Sequence, residues 1–452
     1  MFFTKHLYFL PYLLTKAENG SIFQSAITLR RLCIKMNKME VIKVFKKFIA
    51  LALASLMVVG ALAGCGGNNT DNTATENTTT ADGASENTGA TGSTLKIGVT
   101  GPLTGDTAVY GKAVQNGAQL AVDEINAAGG VNGYQLEFKM QDDENDVEKA
   151  ATAYNALKDW GMQISLGSVT SKPCINVNSY ASQDNMFLLT PSATAVESIN
   201  TDNAFRVCFS DPNQGAKSAE YISQQGLATK IAVIYDSSDP YSSGIYNTFK
   251  AEAEKDGLEI VAAEAFTSDA KSDFSVHLQK AQSAGAELVF LPIYYQEASL
   301  ILQQAKSKGY EPLFFGCDGL DGILAMDNFD TSLAEGVMLL TPFAADAQDE
   351  KTVTFVSAFK EKFNETPNQF AADAYDAIYA IKAALEKGNV TDPTMNYSDL
   401  CNILKVAMTE ITVEGVTGTI TWTADGEPNK EPKGMIIEDG AYKIGRASCR
   451  ER

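Results

Sequence analysis

Histidine is nearly missing from this sequence: His6 and His277 are the only two in 452 residues. A zinc site of the usual His-rich kind is thereby excluded, and a Ser-His-Asp arrangement would have to be built around His277, on what reads as a helix face. The seven cysteines, at positions 33, 65, 174, 208, 317, 401 and 449, include no Cys-x-x-Cys pair, so they suggest neither a metal ribbon nor a disulfide framework. Lys and Arg (36) are outnumbered by Asp and Glu (56), and a formal net charge of -20 argues against nucleic acid as a partner. No Gly-x-Gly-x-x-Gly follows the first strand. The one loop that looks like a phosphate cradle, Gly105 to Ala113, has one residue too many and Ala where Mg²⁺ needs Ser or Thr. Neither His277 nor a thiol pair supplies a general base beside a nucleophile, so no enzyme and no cofactor are expected.

What is present begins at Met36. Residues 1–35 mix apolar and basic residues without a settled period and read as a mis-called upstream extension, the true start being Met36 or Met39. From there a basic stretch (Lys38, Lys43, Lys46, Lys47) leads into an apolar run from Phe48 to Val59, and residues 36–64 read as a secretory signal too short for a comfortable membrane span. Leu62-Ala63-Gly64-Cys65 resembles a bacterial lipobox, which implies cleavage before Cys65 and lipid on its sulfur and amino group; each buried acyl CH2 would contribute about 0.8 kcal/mol of anchoring. Gly66 to Ser93 has four acidic residues and no Lys, Arg or aromatic side chain. Such a segment cannot bury enough surface to order itself, so residues 65–93 are expected to form a lipidated tether, on the order of 30 Å in span as a flexible coil.

From Leu95 the chain alternates strand and helix. Strands are predicted at 95–100, 134–142, 163–166, 186–190, 230–235, 258–265, 287–291, 312–315 and 336–340, with helices at 111–128, 146–160, 217–225, 242–256 and 296–307 between them. Three further helices, 350–363, 369–386 and 397–409, precede strand-like pairs at 418–422 and 434–437. Alternation of this kind means α/β architecture with parallel sheets covered by helices, and the length calls for two lobes. The last residues, 444–452, read as an artefactual tail.

One stretch bears on function directly. Met186 to Thr190 is a short apolar strand, and Pro191 stiffens the turn after it. Thr194 and Glu197 have the spacing of a capping box opening a helix. Ser192, Ala193 and Thr194 would then offer small hydroxyls and unpaired N-H groups at the carboxyl end of a strand, where open α/β sheets bind ligands and a helix terminus attracts an anion. Thr194 as a helix cap and nothing more is the plain alternative.

The block from Leu95 to Asp143, with Gly101-Pro-Leu-Thr-Gly105, Tyr110-Gly111, Asn116-Gly117 and Ile125-Asn126-Ala-Ala-Gly-Gly-Val-Asn-Gly133, resembles the opening of type I solute-binding proteins of branched-chain amino acid ABC transporters. The likeness runs to about Lys443. It implies the type I periplasmic binding protein fold: two Rossmann-like lobes, 94–207 with 342–415 and 208–341 with 416–443, joined by three hinge crossovers. It implies that Ser171 and the turn of Ser192, Ala193 and Thr194 hold a ligand carboxylate, and that Asp318, one methylene shorter than the family's usual Glu, faces the ammonium. Tyr110, Tyr241 and Tyr294 would face the ligand. Each residue has a bland alternative: a helix cap for Ser171, an Asx turn with Gly319 for Asp318, and ordinary core for the tyrosines. The family's frequent disulfide in the first lobe has no partner here for Cys174.

The resemblance further implies capture of an amino acid, branched-chain or similarly aliphatic, by a monomer held outside the cell membrane by its lipid, and delivery to a permease with ATPase subunits on other chains. A binding protein for an amide, urea-like or aromatic-acid ligand, or an extracellular sensing domain, uses the same fold.

Overall fold

The structure, a computed structural model, describes residues 94–445. The signal, lipobox and tether read at residues 36–93, the extension before them, and the tail from 446 lie outside the described residues.

The first half builds one parallel sheet. Strands β1 (Thr94–Gly101), β2 (Gln135–Asp142), β3 (Ile164–Ser168), β4 (Leu188–Thr190) and β5 (Ala204–Arg206) lie in the order β2-β1-β3-β4-β5. Between them run α1 (Ala108–Ala127), α2 (Val147–Trp160) and α3 (Ser171–Asp184). β1 and β3 are buried along nearly their whole length, because parallel strands covered on both faces have no wet side. The order reverses at β1, so the carboxyl ends of β1 and β3 flank a crevice of the kind in which such sheets take ligands.

The chain then leaves for a second sheet. Helix α4 (Asp211–Gln224) leads to β6 (Lys230–Asp236), α5 (Pro240–Lys255), β7 (Glu259–Phe266), α6 (Ser275–Ser283), β8 (Leu288–Leu291), α7 (Tyr295–Lys308), β9 (Leu313–Gly316) and β10 (Met338–Thr341). It returns as α8 (Glu350–Phe363), α9 (Gln369–Lys387) and α10 (Tyr397–Met408), of which α9 packs along α1. Gly117 allows that approach: a Cβ there would sit 2.0 Å from the Ala371 carbonyl oxygen of α9. A hairpin of β11 (Val413–Gly415) and β12 (Gly418–Ile420) follows, and the chain crosses a third time to β13 (Lys433–Glu438) and β14 (Ala441–Ile444). The second sheet is ordered β14-β13-β10-β9-β8-β6-β7, parallel from β10 to β7, with β13 and β14 added antiparallel at one edge.

One expectation needs correction. Thr194 and Glu197 do not open an α-helix: Val196–Ile199 is a single 3-10 turn without a side-chain cap. At the edge of the second sheet Ile444 pairs with Met435 and the Gly445 N-H donates to Gly434 O. Cys174, Cys208, Cys317 and Cys401 are buried free thiols, in line with the missing disulfide partner.

The third crossover is tied down by buried charge. Lys430 Nζ lies 2.9 Å from Asp373 Oδ1 of α9, and Asp376, one turn on, accepts the N-H groups of Val416 (2.8 Å) and Thr417 (2.9 Å). All three charged side chains are almost fully buried.

Candidate functional site

Side chains from both sheets line one narrow cleft with about 220 Å3 of empty space, among them Tyr110, Ser171, Ser192, Tyr241, Tyr294 and Asp318. Of the eight residues expected, Ala193 and Thr194 are the exceptions: both are buried behind the wall rather than on it.

One wall is the start of α3 against the loop after β4. Ser171 is the first helical residue, not its cap, which is Thr170. Its Oγ accepts two backbone donors, Thr194 N-H at 3.2 Å and Ala195 N-H at 3.1 Å. The N-H groups of Ser192 and Ala193 are taken by Thr190 Oγ1, at 3.4 and 3.0 Å. The loop therefore does not offer the unpaired N-H groups anticipated from sequence. With both lone-pair directions of Ser171 occupied, the hydrogen of its hydroxyl is what it has left for the cleft, which makes it a donor. Ser192 Oγ donates to Val169 O at 2.7 Å, whereas the Thr194 hydroxyl is buried beside the Asp211 carboxyl.

The opposite wall carries the acid. Asp318 opens a 3-10 turn after β9, not an Asx turn, and is 4% exposed. Its Oδ1 accepts the Tyr241 hydroxyl at 2.8 Å, and the same hydroxyl oxygen accepts Gly319 N-H at 3.0 Å. Its own N-H donates to Gln214 Oε1 (3.1 Å), and its carbonyl accepts Gln369 Nε2 (2.8 Å). Burial pushes its carboxyl up to about 7 against the pull of the Tyr241 hydrogen bond, as expected for an acid with no cation beside it. Gly319 must be glycine, because a Cβ would stand 2.5 Å from the Tyr241 oxygen.

Rings complete the enclosure. Tyr241, at the start of α5, stacks on Tyr294, the residue capping α7, with centroids 4.8 Å apart and 15° between planes. Tyr110 of α1 meets Tyr294 edge-on at 5.6 Å and stacks on Phe370 of α9 at 4.2 Å. The Tyr110 hydroxyl donates to Gly319 O and accepts Tyr295 N-H at 3.2 Å, bridging the two walls. The family's tyrosines are thus wall rather than remote core.

Sequence reasoning missed Phe370, Gln214 and Asp211. Phe370 comes from a helix 52 residues beyond Asp318 and 178 beyond Ser192, and its only signal is its place in the first turn of a predicted helix. Asp211 opens α4 with its carboxyl buried beside the Thr194 hydroxyl, and burial raises that carboxyl well above the usual range against the hydroxyl's pull. A second space of about 360 Å3 shares Tyr241 and Tyr294 and opens outward past Asp236, Lys271 and Glu297. At its mouth Lys271 Nζ joins Asp106 of the β1–α1 loop (2.9 Å) to Glu297 of α7 (3.0 Å). Among the described residues no cluster of His, Cys, Asp and Glu is placed to hold a metal ion.

Residues 94–435 match the family model described as periplasmic binding protein. The Leu/Ile/Val-binding protein homolog 3 of Brucella melitensis is 31% identical over 343 residues, 74% of this chain and 88% of the relative. The leucine-, isoleucine-, valine-, threonine- and alanine-binding protein of Pseudomonas aeruginosa is 32% identical over 302 residues, 66% of this chain and 80% of the relative. Among solved structures, the branched-chain amino acid transporter substrate binding protein LivJ of Streptococcus pneumoniae, in complex with isoleucine, superposes with a TM-score of 0.70 at 30% identity, covering 78% of this chain and 98% of that one. An R. palustris solute binding protein in complex with benzoate shares the fold at TM-score 0.69 and 19% identity, over 78% of this chain and 95% of that one. With two α/β units, three crossings and a cleft lined from both, the chain belongs to the periplasmic binding protein family.

Proposed function

We propose that this chain is the extracytoplasmic substrate-binding component of an ABC importer, which closes on an aliphatic amino acid and hands it to a permease. The observation that carries this reading is the polarity of the cleft: a hydroxyl with only its proton free on one wall, and on the other a carboxyl that burial raises. A zwitterion supplies what each lacks. Its carboxylate accepts from Ser171, and its ammonium pairs with Asp318 under the faces of Tyr241 and Tyr294. The lobes would be 94–207 with 342–415 and 208–341 with 416–443, and closure brings each half of the ligand's partners together. Leucine has about nine heavy atoms, so a micromolar Kd, about -8 kcal/mol, lies within the ceiling near -1.5 kcal/mol per atom for small ligands. Lipid on Cys65 would hold the protein, as a monomer, near its permease.

A thermal-shift screen tests the reading. Leucine, isoleucine and valine should raise the melting temperature, while isovalerate (no ammonium) and isoamylamine (no carboxylate) should do so far less at equal concentration. Stabilisation by benzoate or short amides with no response to any amino acid would overturn it.

A further inference from the structure

Arg206, the last residue of β5, is buried completely, yet its one acidic partner, Glu427 at 3.2 Å, is 38% exposed. Its Nε is buried without a partner, and its two terminal nitrogens are spent on backbone. Nη1 donates to the carbonyls of Ala193 (3.2 Å) and Thr194, and Nη2 to that of Ala195 (3.0 Å). In a trans peptide the N-H points opposite to the C=O. The peptide units 193–194 and 194–195 therefore have their oxygens on Arg206 and their hydrogens on Ser171 Oγ. Two aligned dipoles run from a buried cation to one hydroxyl in the cleft wall.

We infer that Arg206 is a positioning residue for carboxylate recognition: by holding these two peptide units it fills the acceptor capacity of Ser171 and leaves that hydroxyl only a proton to give. Without it the Ala193 carbonyl loses its donor, while Thr194 O and Ala195 O keep the N-H groups of Asp211 (2.9 Å) and Ser198 (3.0 Å); the 193–194 peptide plane is then free to turn, and Ser171 could present a lone pair that repels a carboxylate. Its positive end also stays within reach of the subsite, because Glu427 is shared with solvent and neutralises it incompletely. Gly426 O accepts the Arg206 N-H at 3.1 Å, and the Trp422 Nε1-H donates to its carbonyl at 2.7 Å, so the same residue anchors the third crossover beside the subsite.

The inference rests on the ligand reading above for the carboxylate, but its first test needs no ligand. In ligand-free Arg206→Lys, which keeps the charge but lacks the planar fork, amide hydrogen exchange followed by NMR should accelerate about tenfold or more at Thr194 and less at Ala195, whose peptide unit the Asp211 N-H still holds. Ser192 and Ala193, held by Thr190, should keep their protection. No acceleration, or equal acceleration at all four amides, would mean that Arg206 merely supports the fold and would overturn the inference. In the second test, affinity for leucine relative to leucinamide should fall in Arg206→Lys. In Glu427→Gln, which removes a half-exposed partner and so keeps the fold within reach, that ratio should rise roughly two- to fivefold; an unchanged ratio there counts against the inference. Should the unaltered protein bind neither compound, the ligand reading fails while the exchange result still decides the role of Arg206.

Discussion

Replacing Asp318 with Asn should stabilise the empty protein and cripple it as an amino-acid binder. The carboxyl titrates at 3.8 when solvated and at about 7 in the folded site, and each tenfold change is about 1.4 kcal/mol. The sign follows from which state holds the proton. Between these two values the folded protein keeps it and the unfolded chain does not, so stability contributed by the neutral acid is complete below pH 3.8 and is lost as pH rises through 7. By pH 8 the loss approaches about 4 kcal/mol, against about 1.5 kcal/mol at pH 5. An amide carries no such dependence, so the advantage of Asp318→Asn should grow by up to about 3 kcal/mol between those pH values. With unfolding entropy of roughly 2.1 cal/mol/K per residue over residues 94–445, this corresponds to about 4 °C of additional Tm difference. Scanning calorimetry of both proteins without ligand, at pH 5 and pH 8, measures it. In the same variant leucine affinity should drop at least about thirtyfold, as for one partner lost from a buried ion pair. A Tm difference independent of pH, or leucine bound as tightly as before, would refute the assignment of Asp318.

Three other outcomes follow from neighbouring groups. Since the empty site holds a proton below about 7 and the ammonium-paired carboxylate does not, leucine affinity should fall by up to tenfold per pH unit below 7 and level off above it; calorimetric titration at pH 5.5, 6.5 and 7.5 checks this. Lys271→Ala removes the ion pair across the outer mouth and should speed leucine release several-fold at low salt and less at high salt, as stopped-flow dissociation would register. Lys430→Met leaves Asp373 without its cation in the core and should cost about 3–5 kcal/mol in denaturant unfolding, with Lys430→Arg milder.

Sequence made the fold legible where patterns are local. Helix α8 ends where its apolar spacing says, and β1, β2, β6 and β8 fall within a residue or two of their apolar runs. The three-residue β5 escaped because so short a run carries no period. Thr194 and Glu197 misled for a physical reason: the Thr194 N-H that a capping box would use is already held by Ser171, 23 positions earlier. The same long-range bond explains why the cleft residues could be picked out while their hydrogen-bonding roles could not. Which groups remain free depends on Arg206 and Thr190, and neither announces itself by spacing.

The antiparallel edge of the second sheet has a bearing on how the molecule comes into being. β10 pairs on one side with β13, so Met338–Thr341 keeps a bare row of backbone donors and acceptors until residues 433–438 arrive. A chain emerging amino end first can finish its first sheet early. Its second must wait for residues 433–438, about ninety positions beyond β10, and a ribosome stalled before that point would leave a sticky edge facing whatever lies nearby.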